Sequence, residues 1–249
     1  MGNYTRLDCA IGSSGLMRQA VAQAVHHARH RSAFQKRLID QPLMENVLAD
    51  LALESEAATV LTMRLARAYD EENEAALAIR RIVTPAAKFW ICKRAPAVAA
   101  EAMEVLGGSG YIEDSIMPRL YREAPVNSIW EGSGNIMCLD VLRAIARVPD
   151  AADVLRAELD AGGDARLRKS GERLLALMAA PGGAGEAQAR ALVRDLVVTL
   201  QAALLVRHAP PAVADAFCAS RLEGDSGAFG LLPRGLDLRA VVERAGPQS

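Results

Sequence analysis

Aromatic residues and net charge are both scarce in this 249-residue sequence. Phe, Trp and Tyr make up 4% of the chain, and the formal net charge is −1 at pH 7. The balanced charge gives no general attraction to nucleic acid or to an anionic membrane. The chain also lacks a run of about 20 apolar residues that could span a bilayer, and its N-terminus lacks the apolar segment of a secretory signal. These absences predict a cytoplasmic protein with no membrane partner.

Cysteine and metal-ligand patterns are missing as well. The four cysteines are far apart and form no Cys-x-x-Cys pair, which disfavours a disulfide framework and a zinc site. His26, His27 and His30 lie close together, but only His26 and His30 share a helix face. Because no third ligand follows nearby, we expect solvated histidines and predict no metal site.

The abundant residues are helix formers. Hydrophobic residues make up 51% of the chain, and many of them are Ala and Leu. Apolar residues recur at helical spacing and predict four long helices, over about 8–31, 42–69, 74–106 and 135–147. Pro85 and Pro96 should kink or split the third helix, because each removes a helical hydrogen bond. A long loop, 109–132, should precede the fourth. We predict that residues 1–149 form an all-α, antiparallel four-helix bundle.

A helical C-terminal extension is predicted for residues 150–249. Shorter amphipathic helices are expected near 164–179, 185–207 and 211–222, separated by glycine and proline at 162–163, 181–183 and 210–211. The last 27 residues are rich in glycine and show no helical pattern. The extension contains 12 Lys and Arg residues against 13 Asp and Glu residues, so it is close to neutral.

The long loop and its flanks contain the densest motifs. Glu104-Val-Leu-Gly-Gly-Ser-Gly-Tyr111 is followed by Arg119-Leu-Tyr-Arg-Glu123 and Ile129-Trp-Glu-Gly-Ser-Gly-Asn-Ile136. Glycines let a backbone approach a ligand closely, and the start of the fourth helix suits phosphate or an electron-rich ring. Glu131 lies just before that helix, where an acidic residue also interacts favourably with the helix dipole. The residues alone leave a functional and a structural interpretation open.

Together with Arg31-Ser-Ala-Phe-Gln-Lys-Arg-Leu-Ile-Asp-Gln41, these motifs resemble those of acyl-CoA dehydrogenases, in the same order. In that family, Arg-x-x-Phe-Gly precedes Gln-x-x-Gly-Gly-x-Gly-Tyr, which is followed by Arg-Leu-Tyr-Arg and Ile-Tyr-Glu-Gly-Thr. The resemblance covers about residues 5–147 and concerns the family's C-terminal helical domain. Stretches 5–9, 84–88 and 125–143 resemble the DNA alkylation response (AidB-like) branch, which also has a helical extension.

The resemblance implies an FAD cofactor, an acyl-CoA-like substrate and a homotetramer. Glu131 would be the catalytic base that removes the α-proton while a hydride leaves the β-carbon for the flavin. Arg31 would pair with the FAD pyrophosphate of a neighbouring subunit. The other implied cofactor contacts are Phe34, Gln41, Glu104, Gly107, Gly108, Ser133 and Asn135. Most of these also have structural explanations, with Phe34 as a core aromatic residue, Gln41 as a helix-start residue and the glycines, Ser133 and Asn135 as helix caps.

Several positions depart from the family pattern. Glu104 replaces Gln, Gln35 replaces Gly and Trp130 replaces Tyr, which argues against efficient turnover of ordinary fatty acyl-CoAs. The family also has an N-terminal helical domain and a β-domain, and neither resembles any part of this sequence. We expect them in the same protein or in a separate chain, and we expect the isolated chain to be inactive.

Two other functions compete with catalysis. One is a non-catalytic, protective module that binds double-stranded DNA, for which phosphate contacts would supply most of the affinity. Its candidate residues are Arg143, Arg166, Arg168, Lys169 and Arg173. The other is a helical oligomerisation module. Lys88, Lys93 and Arg94 are expected on the polar face of the third helix rather than in a nucleic-acid patch.

Overall fold

The computed structural model describes residues 2–160, 163–179, 185–224 and 227–246. Four long helices form the bundle: α1 (Gly2–His30), α2 (Pro42–Asp70), α3 (Glu74–Val105) and α6 (Gly134–Arg147), with α4 (Gly108–Tyr111) and α5 (Met117–Glu123) between the last two. A two-residue hairpin, β1 (Ser32–Ala33) and β2 (Lys36–Arg37), and a 3-10 turn (Leu38–Asp40) connect α1 to α2. The predicted all-α fold is confirmed.

The first two bundle helices are antiparallel. The Tyr69 hydroxyl near the end of α2 donates to the Asn3 carbonyl near the start of α1. Farther along, the hydroxyls of Ser14 and Thr59 lie 3.2 Å apart. Later residues of α1 therefore contact earlier residues of α2, as in an antiparallel pair.

The other two bundle helices continue the alternation. α3 runs against α2, since Thr84 contacts Tyr69 while Arg94 pairs with Glu54. α6 runs against α3, since Arg81 pairs with Asp140 while the start of α6 lies beside the next turns of α3. The predicted up-down-up-down bundle is therefore confirmed, with α1 and α3 parallel to each other.

The prolines of α3 do not split it. The helix is continuous from Glu74 to Val105 through Pro85 and Pro96. Pro85 is buried, and α3 packs against α1, α2 and α6 along its length. This packing holds the helix together although each proline removes one backbone donor. Of the two predicted alternatives, a split is therefore wrong, and a kink stays a prediction.

The segment predicted as a loop, 109–132, is mostly helical. α4 and α5 lie within it, and a 3-10 helix spans Ala124–Ser128. Pro118 and Pro125 occupy first-turn positions of these short helices, where the missing N–H costs little. The short helices supply local partners for backbone groups that an irregular segment would leave unpaired.

The extension contains five helices among its described residues. They are α7 (Ala151–Leu159), α8 (Ala165–Ala179), α9 (Ala189–His208), α10 (Pro211–Arg221) and α11 (Leu238–Ala245). α8, α9 and α10 confirm the predicted helices, whereas α7 and α11 were not predicted. The predicted separators at 162 and 181–183 lie outside the described residues. Apolar residues of α7 to α11 join those of the bundle in one hydrophobic cluster.

Buried charges attach the extension to α2. Arg221 of α10 pairs with Asp50 and Glu54 of α2, and all three side chains are at most 7% exposed. Asp50 also accepts a hydrogen bond from the Gly230 backbone N–H at 2.9 Å. The division into units 1–149 and 150–249 stays a prediction.

None of the helices in the described part of the chain is both long and apolar enough to cross a membrane.

Candidate active site

Glu131 lies on a strained turn between the 3-10 helix and α6. Its backbone φ is +59°, and that of Gly132 is +108°. Positive φ is uncommon for a residue with a side chain, so the surrounding structure must hold the turn in place. At Gly132 a Cβ would also come 2.4 Å from the Met137 side chain. The conformation therefore favours glycine here, and any side chain would also require the Met137 methyl group to shift.

The Glu131 carboxylate opens onto a small cavity. Its Oε2 accepts a hydrogen bond from the Thr5 hydroxyl at 2.8 Å. The cavity has a volume of about 280 Å³ and is lined by Thr5, Asp8, Cys9, Asn127, Trp130 and Glu131. Ile129 and Trp130 are 65% and 55% exposed, so the rim beside the carboxylate is apolar. The cavity thus combines one oriented carboxylate with an apolar edge.

Two basic side chains hold the carbonyls of the Glu131 turn. The Lys88 ammonium donates to the carbonyl oxygens of Trp130, at 2.8 Å, and Gly132, at 2.5 Å. Arg6 Nε donates to the carbonyl oxygen of Glu131 itself at 3.2 Å. Three consecutive carbonyls, 130 to 132, therefore each accept a hydrogen bond from a lysine or arginine.

Lys88 corrects an expectation from the sequence. It does not lie on a polar face of α3, because it is 1% exposed and among the largest fully buried side chains. Burial lowers its pKa from the ordinary lysine value. Two hydrogen bonds to the turn that contains Glu131 compensate for its removal from water, which explains how a lysine can be buried at this position.

Asp140 anchors the same region from α6. Its carboxylate pairs with Arg6 at 2.7 Å and with Arg81 at 2.8 Å. Burial alone would raise the pKa of this carboxyl, but the two arginines hold it below its usual value. Arg6 thereby links α6 to the Glu131 backbone. Sequence reasoning assigned no role to Thr5, Arg6 or Asp140, although the motif stretches 5–9 and 125–143 contain them.

The nearby thiols are not prepared as nucleophiles. Cys9 lines the cavity, and burial raises the pKa of its thiol. Cys92 lies behind it with a pKa raised to about 11, also by burial. Because the thiolate is the reactive form, neither cysteine is activated for nucleophilic chemistry.

Ser133 and Asn135 are exposed at the start of α6. Ser133 occupies the N-cap position, but its side chain makes no capping hydrogen bond. Asn135 Oδ1 accepts a hydrogen bond from Arg190 Nε of α9 at 2.8 Å. Both predicted cofactor contacts therefore lie within a few residues of Glu131, and the extension reaches the second of them.

The hairpin after α1 holds Phe34 out in solvent. Phe34 is 95% exposed, and it and Gln35 have φ values of +53° and +65°. Gln41 Nε2 donates to the Ala33 carbonyl at 3.0 Å and fastens the hairpin, while Arg31 is exposed at its base. The interpretation of Phe34 as a core aromatic residue is wrong. The strained hairpin presents an aromatic ring that no described residue covers.

The glycines that follow α3 have two different structural roles. Gly107 has a φ of +61°, and Gly108 begins α4 directly after it. A Cβ at Gly110 would come 2.4 Å from the Met103 carbonyl oxygen, so this glycine permits close backbone packing. Glu104 is exposed. The pKa of Glu101, one turn earlier, is raised mainly by burial and further by the negative charge of Glu104.

The predicted site residues fall into two groups at opposite ends of the bundle. Thr5, which touches Glu131, and Arg31 are 26 residues apart in sequence along α1, or ~39 Å at 1.5 Å per residue. Because α3 runs parallel to α1, Glu104, Gly107 and Gly108 lie at the Arg31 end. The two groups of one chain therefore do not line a single pocket.

The candidate nucleic-acid residues have different environments. Arg166 pairs with Asp164 at 2.7 Å and with Asp215 at 2.8 Å, so its charge is compensated within the fold. Arg143 on α6, and Arg168, Lys169 and Arg173 on α8, are exposed and have no ion-pair partner among the described residues. We call the last three the α8 cations.

The histidines do not assemble a metal site. Among the described residues, no group of three or more His, Cys, Asp or Glu side chains could hold a metal ion. The His26 and His30 rings lie 4.3 Å apart, and the His30 Nδ1 is 2.8 Å from the His26 carbonyl.

Comparison with known proteins gives one consistent result. The family model described as "Acyl-CoA dehydrogenase, C-terminal domain" matches residues 2–146. The protein AidB of Escherichia coli (strain K12) is 46% identical over 230 residues, covering 91% of this chain and 42% of AidB.

Solved structures agree with this result. ACDH-11 of Caenorhabditis elegans, crystallised in complex with C11-CoA, is similar with a TM-score of 0.82 and 25% identity, over 90% of this chain and 44% of that chain. An acyl-CoA dehydrogenase of Bacillus anthracis complexed with FAD has a similar fold, with a TM-score of 0.68 and 18% identity, over 100% of this chain and 52% of that chain. The chain thus spans about half the length of these relatives or less.

Proposed function

The chain belongs to the acyl-CoA dehydrogenase family, whose members generally bind FAD, and its residues 2–146 correspond to the family's C-terminal domain. From this premise we propose that it provides the catalytic base and part of the flavin site of an acyl-CoA dehydrogenase-like protein of the alkylation-response type. The reaction is the α,β-dehydrogenation of an acyl-CoA-like substrate. The N-terminal helical domain and the β-domain complete the site.

The Glu131 turn supports the catalytic part of the proposal. A base for an α-proton needs an ionisable group that is exposed to substrate and held in one direction. Glu131 is exposed, its carboxylate is oriented by Thr5, and its three local carbonyls are fixed by Lys88 and Arg6. The apolar rim of Ile129 and Trp130 suits an acyl chain or the domain that covers it.

The opposite end of the bundle fits a cofactor contributed by another copy. FAD, when bound, supplies the acceptor for the hydride that leaves the β-carbon. Arg31 offers a planar guanidinium that suits a pyrophosphate. Phe34 exposes an aromatic face, and the space beside the Gly107 Cα is open. Because these groups lie ~39 Å along α1 from the Glu131 end, they would serve the flavin of a neighbouring subunit. This supports a homo-oligomer, and we propose the homotetramer of the family.

The observation that carries the function is the fixed, exposed carboxylate of Glu131 on a strained turn. In a protein completed with the N-terminal and β-domains, Glu131→Gln should lower the rate of acyl-CoA dehydrogenation by at least ~100-fold. The amide is nearly isosteric, so flavin absorbance should persist. Glu123→Gln is the matched control, since Glu123 is also exposed but lies eight residues earlier on α5. Activity of Glu131→Gln within about tenfold of the parent would exclude Glu131 as the base.

A second candidate function is DNA binding, and the α8 cations favour it. They are three exposed positive charges on one helix that the described part of the fold leaves unpaired. Such charges bind phosphate without regard to sequence. The paired Arg166 adds little, so the surface is smaller than the sequence predicts. Contact with double-stranded DNA would be protective rather than catalytic.

A further inference from the structure

We propose that Lys88 is a positioning residue for Glu131, acting through the backbone carbonyls on either side of it. The inference rests on the proposed function, because it matters for catalysis only if Glu131 is the base. It does not require Lys88 to touch substrate or flavin. Lys88 would set the direction of the carboxylate by fixing the turn from which it projects.

The hydrogen bonds of Lys88 bracket the base. Its ammonium donates to the Trp130 carbonyl before Glu131 and to the Gly132 carbonyl after it. A single donor group therefore holds the peptide unit before Glu131 and the one after Gly132, and these two units enclose the two residues with positive φ. Arg6 holds the carbonyl between them. Rotation of the turn would break two charge-assisted hydrogen bonds of Lys88 at once.

Strain explains why such a clamp is needed. Glu131 and Gly132 both have positive φ, and a non-glycine residue in that region costs on the order of 1–3 kcal/mol unless its surroundings impose it. Ile129 and Trp130 are largely exposed, so apolar packing of those side chains cannot impose it. Lys88 is rooted in α3, the helix with the most extensive packing in the bundle, and it transmits the rigidity of that helix to the turn.

Burial argues against an incidental lysine. Removing an ammonium group from water is costly, and an apolar side chain of similar length would avoid that cost. What an apolar residue cannot do is satisfy the carbonyls of Trp130 and Gly132. The burial is explained if the two hydrogen bonds, rather than the packing of the side chain, are the contribution of Lys88.

The first test measures the turn in the 249-residue chain itself. The chain has two tryptophans, so Trp90→Phe leaves Trp130 as the only fluorophore of that type. In this background, Lys88→Met keeps the length of the side chain but removes both donors. We expect a loss of Trp130 fluorescence anisotropy, with helix content by circular dichroism unchanged. Lys93→Met, an exposed lysine five residues later on α3, is the matched control and should leave anisotropy unchanged.

A conservative variant separates positioning from general stability. Lys88→Gln retains N–H donors without the charge, so it should recover part of the anisotropy that Lys88→Met loses. If Lys88→Met lowers the melting temperature but leaves anisotropy at the parent value, Lys88 only packs and the proposal is wrong. If both variants fail to fold, Lys88 is required for folding rather than for positioning, and the proposal is also wrong.

The second test uses the completed, flavin-loaded protein. Displacing a base by about 1 Å can cost ~100-fold in rate, so Lys88→Met should lower kcat per bound flavin by roughly 10- to 100-fold with KM nearly unchanged. If Glu131→Gln is inactive while Lys88→Met keeps full kcat, positioning by Lys88 is refuted and the proposed function stands. If Glu131→Gln remains active, the proposed function fails, and a positioning role for Lys88 fails with it. The anisotropy result then describes only the turn.

Discussion

Removing the guanidinium of Arg221 should be among the most destabilising single changes in this protein. Arg221 is 4% exposed and pairs with Asp50 and Glu54, which are 3% and 7% exposed. Without it, Glu54 keeps its ion pair with Arg94, at 3.0 Å, whereas Asp50 loses its ion pair and keeps the hydrogen bond from the Gly230 amide. Removing one member of a buried ion pair typically costs ~3–5 kcal/mol, because the remaining charge is left uncompensated. We expect Arg221→Met to cost about this much.

Thermal unfolding gives the clearest measurement. For a chain of this length each kcal/mol shifts the midpoint by ~2–4 °C, so Arg221→Met should lower it by roughly 6–20 °C. Arg194→Met is the matched control, since Arg194 pairs with Asp195 at 2.7 Å but its side chain is 54% exposed. Exposed pairs contribute ~0–1 kcal/mol, so the control should shift the midpoint by only a few degrees at most.

A second substitution tests the reason for the loss. If the cost comes from the unpaired carboxylate, adding Asp50→Asn to Arg221→Met should recover part of the lost stability. A loss below about 1 kcal/mol for Arg221→Met, or no recovery in the double variant, would refute the argument. The small loss would mean that the extension is held to α2 mainly by apolar packing, and the lack of recovery would mean that the unpaired Asp50 carboxylate is not the source of the cost.

The same cluster predicts a dependence on pH. Burial alone would raise the pKa of Glu54, but Arg221 and Arg94 hold it below the ordinary value of 4.5. A carboxyl whose folded pKa is lowered contributes stability that is fully present above its unfolded pKa. That contribution should be lost as the pH falls from about 4.5 through the lower folded pKa, and the loss should be smaller in Arg221→Met.

Three further outcomes are expected. Burial raises the pKa of Cys92 and Cys138 to about 11 and that of Cys218 to about 12, so these thiols should react with a disulfide reagent at pH 8 only after unfolding; fast reaction of all three in the native chain would contradict their burial. The 249 residues alone should purify colourless, because in the proposed function the N-terminal and β-domains complete the flavin site; a stoichiometric yellow protein would show that the bundle alone suffices. DNA binding through the α8 cations should weaken about 40-fold between ~50 and ~200 mM salt, since three phosphate contacts give a slope of about −2.7. Replacing the three by Gln should flatten that slope, and an unchanged slope would point to Arg143 next.

Helical periodicity predicted the bundle because each long helix buries a continuous apolar face. The ends of α2, α3 and α6 came within one residue of their predicted positions. Pro42 at the start of α2 and Gly107 after the end of α3 act there through local backbone chemistry. The nine-residue α7 and the eight-residue α11 were missed. Helices this short show little more than two turns of periodic pattern, and their stability comes from packing on the bundle.

The candidate site was less accessible to sequence reasoning, for a physical reason. Family motifs led to Glu131, but its supporting residues lie far away in sequence. Lys88 contacts carbonyls 42 and 44 residues later, and Thr5 contacts a carboxylate 126 residues later. A lysine in a helix is usually solvated, so the residue type predicted that Lys88 lies on the protein surface. The burial of Lys88 is explained only by the fold, which places the Trp130 and Gly132 carbonyls within hydrogen-bonding distance of its ammonium group.

The separation of the two groups of site residues leads to a final prediction. If Arg31 serves the flavin of a neighbour, a working site needs Glu131 from one chain and Arg31 from another. In the completed protein, Glu131→Gln and Arg31→Met should each be inactive alone. If the two variant chains assemble at random, half of the dimers contain one chain of each variant. In each of these mixed dimers, one of the two sites has both Glu131 and Arg31 intact. Mixed assemblies should therefore recover about a quarter of parental activity, given a two-fold symmetric interface.

The alternatives give different results in the same experiment. If Arg31 acted on the flavin of its own chain, every site in a mixture would lack one residue, and activity would stay at the level of the single variants. Full activity of Arg31→Met alone would show that Arg31 does not contact the cofactor at all. The ~39 Å between Thr5 and Arg31 along α1 already weighs against the first alternative. Recovery on mixing would therefore establish that the oligomer is a requirement of the site and not only of stability.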